Sequence, residues 1–321
     1  MIYIKSPDAG IRQQVFKVSV IVPAHNEEGN IELLSNKVIA CLTKYPDYEL
    51  LFVDDGSQDG TLDGIRSIRK QNPKVHYISL SRNFGHQNAL RAGLDYATGD
   101  CVISMDADLQ HPPELIPRMI ERWLEGYDIV NTIRQDDLKT PFFKRKTANI
   151  FYNLINMLSD LKINKGAADY RLLDADVVKV IKTIKENDLF MRGLVAWLGF
   201  KQCGIKYLPD KRNWGKTKYT FRKMIRFAVA GITSFSVKPL QISTMLGYIM
   251  AFLAFAYGIY AIIIKFFTTD TVSGWTSLLA GILFIGGVQM IMMGILGTYI
   301  GKLFIESKKR PNYIIREKSY E

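Results

Sequence analysis

From Phe16 to Thr132 the chain alternates short β-branched, apolar runs with longer stretches whose apolar positions recur at helical spacing. The short runs predict strands at Val18–Val22, Leu50–Val53, Val75–Leu80, Cys101–Met105 and Ile129–Thr132. The longer ones predict helices at Glu28–Lys44, Thr61–Gln71, Gln87–Ala97 and Pro113–Glu125. Such alternation builds an α/β domain around a mostly parallel sheet, and ligands of such sheets gather at the carboxyl ends of the strands. The polar clusters fall at those ends: "PAHNEE", "DDGSQDG", "SRNFGH" and "DADLQ" follow the first four strands in order.

A different pattern begins near residue 239. No charged residue occurs from Pro239 to Ile264, nor from Thr271 to Gly301. Each run exceeds the roughly 20 residues that cross a bilayer as a helix, which predicts spans at about 241–264 and 276–301. Arg222, Lys223, Arg226 and Lys238 precede the first run, and Lys302, Lys308, Lys309 and Arg310 follow the second. The loop between them, about Phe266 to Trp275, has a single charge, Asp270, with Lys265 just before it. The positive-inside rule then sets both termini and the α/β domain in the cytoplasm, in an inner (cytoplasmic) membrane protein with two spans. The first apolar run, Val18–Val22, is too short for a signal peptide. Two stretches that mix cations with apolar residues, 141–158 and 220–238, read as basic amphipathic helices at a membrane surface or as helices packed on the soluble domain. The expected organisation is an N-terminal extension (1–15), a catalytic domain (16–219), a juxtamembrane helix (220–238), the two spans (239–301) and a basic tail (302–321).

Composition narrows the chemistry. The 321 residues carry a net charge of +11 and are 48% hydrophobic. The cations concentrate beside the apolar runs and no nucleic-acid recognition motif occurs, so nucleic-acid binding is not expected. Cys41, Cys101 and Cys203 are too scattered for a disulfide framework or a zinc site and suit a reducing compartment. "WGKTKY" contains Gly-Lys-Thr, but a P-loop needs a glycine where Asp210 stands. Dinucleotide, metalloprotease and nucleophile-elbow motifs are absent too.

Asp106 and Asp108 leave the fourth strand on one side, because side chains alternate along a strand. Two neighbouring carboxylates repel unless a cation lies between them. Mg²⁺ uses one or two carboxylates and leaves positions for phosphate oxygens, and Asp106, Asp108 and Gln110 fit that use; a solvated turn is the alternative. In "VDDGSQDGT" the small residues let backbone approach a ligand, and an acidic side chain can accept hydrogen bonds from a base or ribose; a tight loop capped by Asp59 is the alternative. His25, His86 and His111 read as ordinary loop residues.

Six ordered motifs, "VIVPAHNEEGNI", "LLFVDDGSQDGT", "SLSRNFGHQNALRAGLDYATGD", "ISMDADLQHPPELIP", "GAADYRLLD" and "KRNWGKTKY", followed by two apolar spans, resemble the polyisoprenyl-phosphate glycosyltransferases of glycosyltransferase family 2. The likeness is to the dolichyl-phosphate mannose synthase and bactoprenol glucosyltransferase group, and runs from about Val18 onward. It implies a Rossmann-like A-type glycosyltransferase domain that moves one sugar from a nucleotide donor to polyprenyl phosphate using Mg²⁺ or Mn²⁺. UDP-glucose and undecaprenyl phosphate are the first expectation, and GDP-mannose with a dolichyl-type carrier the second. A homo-oligomer, a tetramer, is also implied. Pro23, Ala24, Asn26, Glu27, Asp54 and Asp55 match the nucleoside pocket; Asp106, Ala107, Asp108 and Gln110 match the metal and diphosphate site. Asp169 matches the carboxylate that acts as base or positions the acceptor, and an ion pair with Arg171 is its plain alternative. Arg134 and Arg145 match the cations on the lipid phosphate, with general attraction to anionic lipid as the alternative. Arg212 and Lys218 match a loop over the diphosphate, where Thr217 replaces the commoner serine. A processive polysaccharide synthase would need a Gln-x-x-Arg-Trp motif, which "RGLVAWLGF" lacks. A non-enzymatic nucleotide or metal-binding module on a membrane tether is the remaining class.

Overall fold

The computed structural model describes residues 15–135, 167–187, 190–208, 232–267 and 274–320. Two compact units separate within it, one containing the sheet together with 311–320 and the other containing the apolar helices up to residue 310.

The first unit begins with the alternation expected from the sequence. Strand β1 (Lys17–Ala24) leads to α1 (Glu28–Leu42), β2 (Asp47–Asp54) to α2 (Thr61–Gln71) and β3 (Val75–Leu80) to α3 (His86–Tyr96). β4 (Cys101–Ser104) precedes a 3-10 turn and α4 (Ile116–Leu124), and β5 (Ile129–Arg134) closes this part. All five predicted strands and all four predicted helices are present. Then follow β6 (Ala167–Asp174), α5 (Ala175–Thr183), α6 (Met191–Trp197), β7 (Gln202–Tyr207) and, after the apolar helices in the chain, β8 (Ile315–Lys318).

The strands form one eight-stranded sheet in the order β7-β5-β6-β4-β1-β2-β3-β8. β4, β1, β2 and β3 run parallel, whereas β6 is antiparallel to β4 and β5, and β8 antiparallel to β3. β1 and β2 are buried over almost their whole length, as central parallel strands covered on both faces must be. Val20, Val22, Leu50, Phe52 and Ile103 join Leu34, Val38 and Ile65 from the helices in one core. Burying each such side chain contributes about 1.5–3 kcal/mol.

β6 has a direct consequence for chemistry. Its register against β4 pairs Ser104 with Arg171. Followed two residues further, an antiparallel register sets Asp106 against Asp169, so the reversed strand delivers its first residues to the edge where β4 ends.

The second unit holds α7 (Lys238–Phe267) and α8 (Trp275–Ser307). Their apolar windows, Lys238–Tyr260 and Leu278–Ser307, are long enough to cross a membrane, and 0% of each is buried, which separates them from core helices. Phe252, Phe255, Tyr257, Phe284 and Met290 are all more than 60% exposed, a contiguous apolar surface that water would not tolerate. Within this unit Tyr299 donates to the Ser236 carbonyl and Lys302 to Ser234 Oγ. The second apolar helix thus continues past residue 301, and residues expected in a basic tail supply both its last turns and β8. The expected amphipathic segment 141–158 and residues 220–231 of the expected segment 220–238 lie outside the described residues, as do residues 1–14 of the extension and Arg145, Arg212 and Lys218.

Candidate active site

Three loops at the carboxyl edge build a cleft of about 520 Å³ lined by His25, Asn26, Asp54, Ser79, Arg82 and Arg316 among others. The loops after β1 and β2 brace each other: Asn26 N–H donates to Ser57 Oγ, Gln58 N–H to Asn26 Oδ1 and Glu27 N–H to Thr61 Oγ1. Asn26 holds φ 55°, a left-handed conformation that asparagine tolerates better than most residues. At Gly56, φ 64°, an added Cβ would lie 2.4 Å from the Arg82 carbonyl carbon, so the close approach of the second and third loops requires glycine.

The two aspartates after β2 are both buried and both committed to shaping these loops. Asp54 accepts from Ser57 N–H at 3.0 Å and from the Ser79 hydroxyl at 2.8 Å. Asp55 accepts from the backbone N–H groups of Phe84 and Gly85 at 2.7 and 2.9 Å, and burial pushes its carboxyl up despite those bonds. Pro23 and Ala24 are buried at the end of β1, and Glu27 accepts from Asn30 Nδ2.

The pair after β4 differs in kind. Asp106 N–H donates to His111 Nδ1, and Asp108 Oδ1 accepts from Gln110 N–H across a turn in which Leu109 holds φ 59°. Asp106 Oδ1 is buried with no hydrogen-bond partner among the described residues; His86 Nε2 stands 3.4 Å away. Leaving a buried carboxylate oxygen unsatisfied costs about 1–3 kcal/mol or more, so a cation or donor on that atom would be stabilising. Behind the pair, His111 stacks on Tyr170 at 5.0 Å, and Tyr207 meets both rings edge-on. Burial pushes the Tyr207 phenol up to about 12; Arg134 opposes the rise, and the charges of Asp106 and Asp108 add to it. Arg134 donates to Gln110 Oε1 at 3.2 Å, linking the residue expected on the metal to one expected on the acceptor phosphate. Among the described residues no group of three His, Cys, Asp or Glu side chains could hold a metal by itself. Two carboxylates, one with an open buried oxygen, fit a hard divalent ion that completes its shell with water and substrate phosphate.

Asp169 is held by cations. Arg192 grips it with two parallel bonds of 3.0 Å, Arg171 adds one of 3.1 Å, Gln87 donates at 3.4 Å and His86 lies 3.8 Å away. Asp169 is 6% exposed and Arg171 2%. Burial opposes the carboxylate charge, yet Arg192 and Arg171 together hold the group well below the usual carboxylate range. Such a carboxylate is a weak proton acceptor. Its geometry instead fixes two guanidinium groups, and Ser104 Oγ anchors the strand beneath by donating to the Asp169 carbonyl at 2.5 Å.

The fold therefore assembles Asp106, Asp108, Gln110, Arg134 and Asp169 around one edge, with Asn26 and Asp54 in the adjoining cleft. The ion pair between Asp169 and Arg171, the plain alternative from the sequence, is present. From the sequence His86 reads as an ordinary loop residue, and Arg192 has no expected role in the site. His86 stands at the start of α3 between two carboxylates, and Arg192 comes from a helix far along the chain. His86 lies in the "SRNFGH" cluster, but nothing local pairs it or Arg192 with a carboxylate; the apposition of β4 and β6 does.

Residues 19–181 match the "Glycosyl transferase family 2" model, and residues 238–303 match the "GtrB C-terminal hairpin". Over 302 residues the chain is 44% identical to the "Prophage bactoprenol glucosyl transferase homolog" of Escherichia coli, with 94% of this chain and 98% of the relative covered. It is 42% identical over 301 residues to the "Bactoprenol glucosyl transferase" of Shigella phage SfV, covering 94% and 98%. It is also 42% identical over 303 residues to the "Uncharacterized glycosyltransferase YkcC" of Bacillus subtilis, covering 94% of each. With this sheet order, the aspartate pair at its carboxyl edge and the apolar hairpin that follows, the chain belongs to glycosyltransferase family 2.

Proposed function

We propose that this protein transfers a single glucosyl unit from UDP-glucose to polyprenyl phosphate, undecaprenyl phosphate first, at the cytoplasmic face of a membrane that its two apolar helices span. The observation that carries the reading is the open buried oxygen of Asp106, next to a nucleoside-sized cleft, in a chain that also exposes an apolar hairpin. Identity of 42–44% over nearly the whole length to bactoprenol glucosyl transferases supports it.

Asp106 and Asp108 would hold Mg²⁺ or Mn²⁺, which when bound neutralises charge on the departing nucleoside diphosphate. The cleft formed by the loops after β1, β2 and β3 holds the nucleoside. In this reading Arg134 meets the acceptor phosphate, and Arg145, Arg212 and Lys218, which lie outside the described residues, take the acceptor-phosphate and diphosphate roles that the family resemblance implies. The acceptor is already anionic near neutral pH, so the reaction needs little general-base assistance. The clamp on Asp169 suits that economy: it fixes the partly exposed Arg192 beside the site, with Arg171 buried beneath, and takes no proton. In-line attack by the lipid phosphate oxygen inverts the anomeric carbon and gives a β-linked product from an α-linked donor.

The test is transfer from a panel of nucleotide sugars to extracted polyprenyl phosphate in membranes containing the full chain. UDP-glucose should be used best, the product should be β-linked by proton NMR, and chelation should stop the reaction. Preference for GDP-mannose would replace the donor, and transfer to no lipid phosphate would overturn the proposal.

A further inference from the structure

Strand β8 does more than cover an edge. Its register against β3 pairs Ile78 with Lys318 and Ser79 with Glu317, then shifts so that Leu80 meets Ile315. Arg316 is the residue skipped by that shift, a β-bulge, and bulges next to sites re-aim a side chain that a regular ladder would point elsewhere. Arg316 lines the same cleft as Asp54, Ser79 and Arg82. It is exposed and has no hydrogen bond or ion pair among the described residues.

Everything around it is tied down. Ser81 N–H donates to the Ile314 carbonyl at 2.9 Å, and Tyr77 N–H to Ser319 Oγ at 2.8 Å. Glu317 takes bonds from Arg66 and from the Tyr77 hydroxyl. Tyr320 stacks on His76 at 4.4 Å and 7°, and Tyr313 donates to Asp95 at 2.9 Å. The backbone that carries Arg316 is anchored on both sides, so a ligand in the cleft would have to order only the side chain itself.

The cleft's other cation is occupied: Arg82 donates to the Asn83 carbonyl and lies over the Phe84 ring at 4.1 Å. Asp54 is saturated by Ser57 and Ser79. Asp106 and Asp108 do not line this cleft. We infer that Arg316 binds the nucleoside of the sugar donor, its planar guanidinium stacking on the base or donating to a base carbonyl. This rests on the donor reading above and adds a binding residue from beyond the apolar hairpin in the chain.

The experiment is calorimetric titration of the full chain in detergent with uridine, UDP, guanosine and GDP, comparing the native protein with Arg316→Ala and Arg316→Lys. We expect Arg316→Ala to weaken uridine and UDP by the same factor, about tenfold, as befits one lost hydrogen bond or stacking contact from a charged group. Arg316→Lys should recover little of it, because an ammonium is not a planar fork. Unchanged affinities in Arg316→Ala overturn the inference. A loss for UDP with none for uridine, or full recovery by lysine, also overturns it, since either marks a charge contact with phosphate. An equal loss for guanosine and GDP, in a protein that ignores uridine, upholds Arg316 and overturns the UDP-glucose reading. Absence of binding to all four in the native protein overturns both.

Discussion

The carboxylates at the end of β4 and the one on β6 face the same edge of the sheet, yet their surroundings are opposite. Asp106 keeps a buried oxygen with no hydrogen bond among the described residues, whereas Asp169 has both oxygens engaged by arginine. The same side chain thus keeps an oxygen open in one place and has both engaged in the other. Residue type alone does not assign a role; the count of donors already aimed at each oxygen does.

The comparison breaks most severely at the open pair. Asp108→Ala should lower sugar transfer by about 10²-fold or more, the scale at which one aimed electrostatic group contributes to catalysis. The metal-free protein should still melt cooperatively, as a folded chain that has lost the Gln110 turn hydrogen bond among its local contacts. Transfer assays beside thermal melts check both halves, and full activity would remove the metal role.

At the closed site the expected effect is on stability first. Asp169→Ala leaves Arg171 buried without its carboxylate, which costs about 3–5 kcal/mol. Denaturant unfolding of the purified chain measures this, and a loss under about 1 kcal/mol would show that the clamp is dispensable. The milder Asp169→Asn should slow transfer while leaving any acid limb of the pH–rate profile in place. Disappearance of that limb would make Asp169 a proton acceptor after all.

The depressed titration of Asp169 has a definite sign. Its folded-state value lies below the unfolded value of about 4, so its stabilisation is fully present above that pH and is lost as the medium acidifies through the folded value. Melting temperatures should therefore carry the full contribution of this group, with no pH dependence arising from it, above about pH 5, and a progressive loss below about pH 4 that Asp169→Asn lacks.

The smallest effect sharpens the contrast. Glu317 is also held by an arginine, but both partners are more than a third exposed. Glu317→Gln should cost at most about 1 kcal/mol, because solvent screens an exposed pair. A cost equal to that at Asp169 would mean that burial is not what separates them.

Much of this was legible in the chain. The central strands are runs such as "VSVIV" and "LLFV", buried on both faces, so their apolar content survives any detail of packing. Polar residues at their ends located the cleft and the aspartate pair by the same logic. β6 was harder, because "AADYRLLD" has the alternation of any strand and nothing local states its direction. Yet direction is what sets Asp169 opposite Asp106. β8 was invisible for another reason: "IREK" is too short and too charged to stand out from a basic tail, and its strand character comes from pairing with β3. Arg192 and His86 gain meaning only through Asp169 and Asp106, partners 23 and 20 positions away in the chain.

That late strand also imposes an order on biogenesis. Ribosomes make β3 long before β8, and everything between them, the apolar hairpin included, is made in the interval. Until translation reaches Ile315 the rim of β3 stands bare, an invitation to pair with a neighbouring nascent chain. The pairing that covers this rim therefore forms only after the apolar helices have been made, and β8 ends that vulnerability.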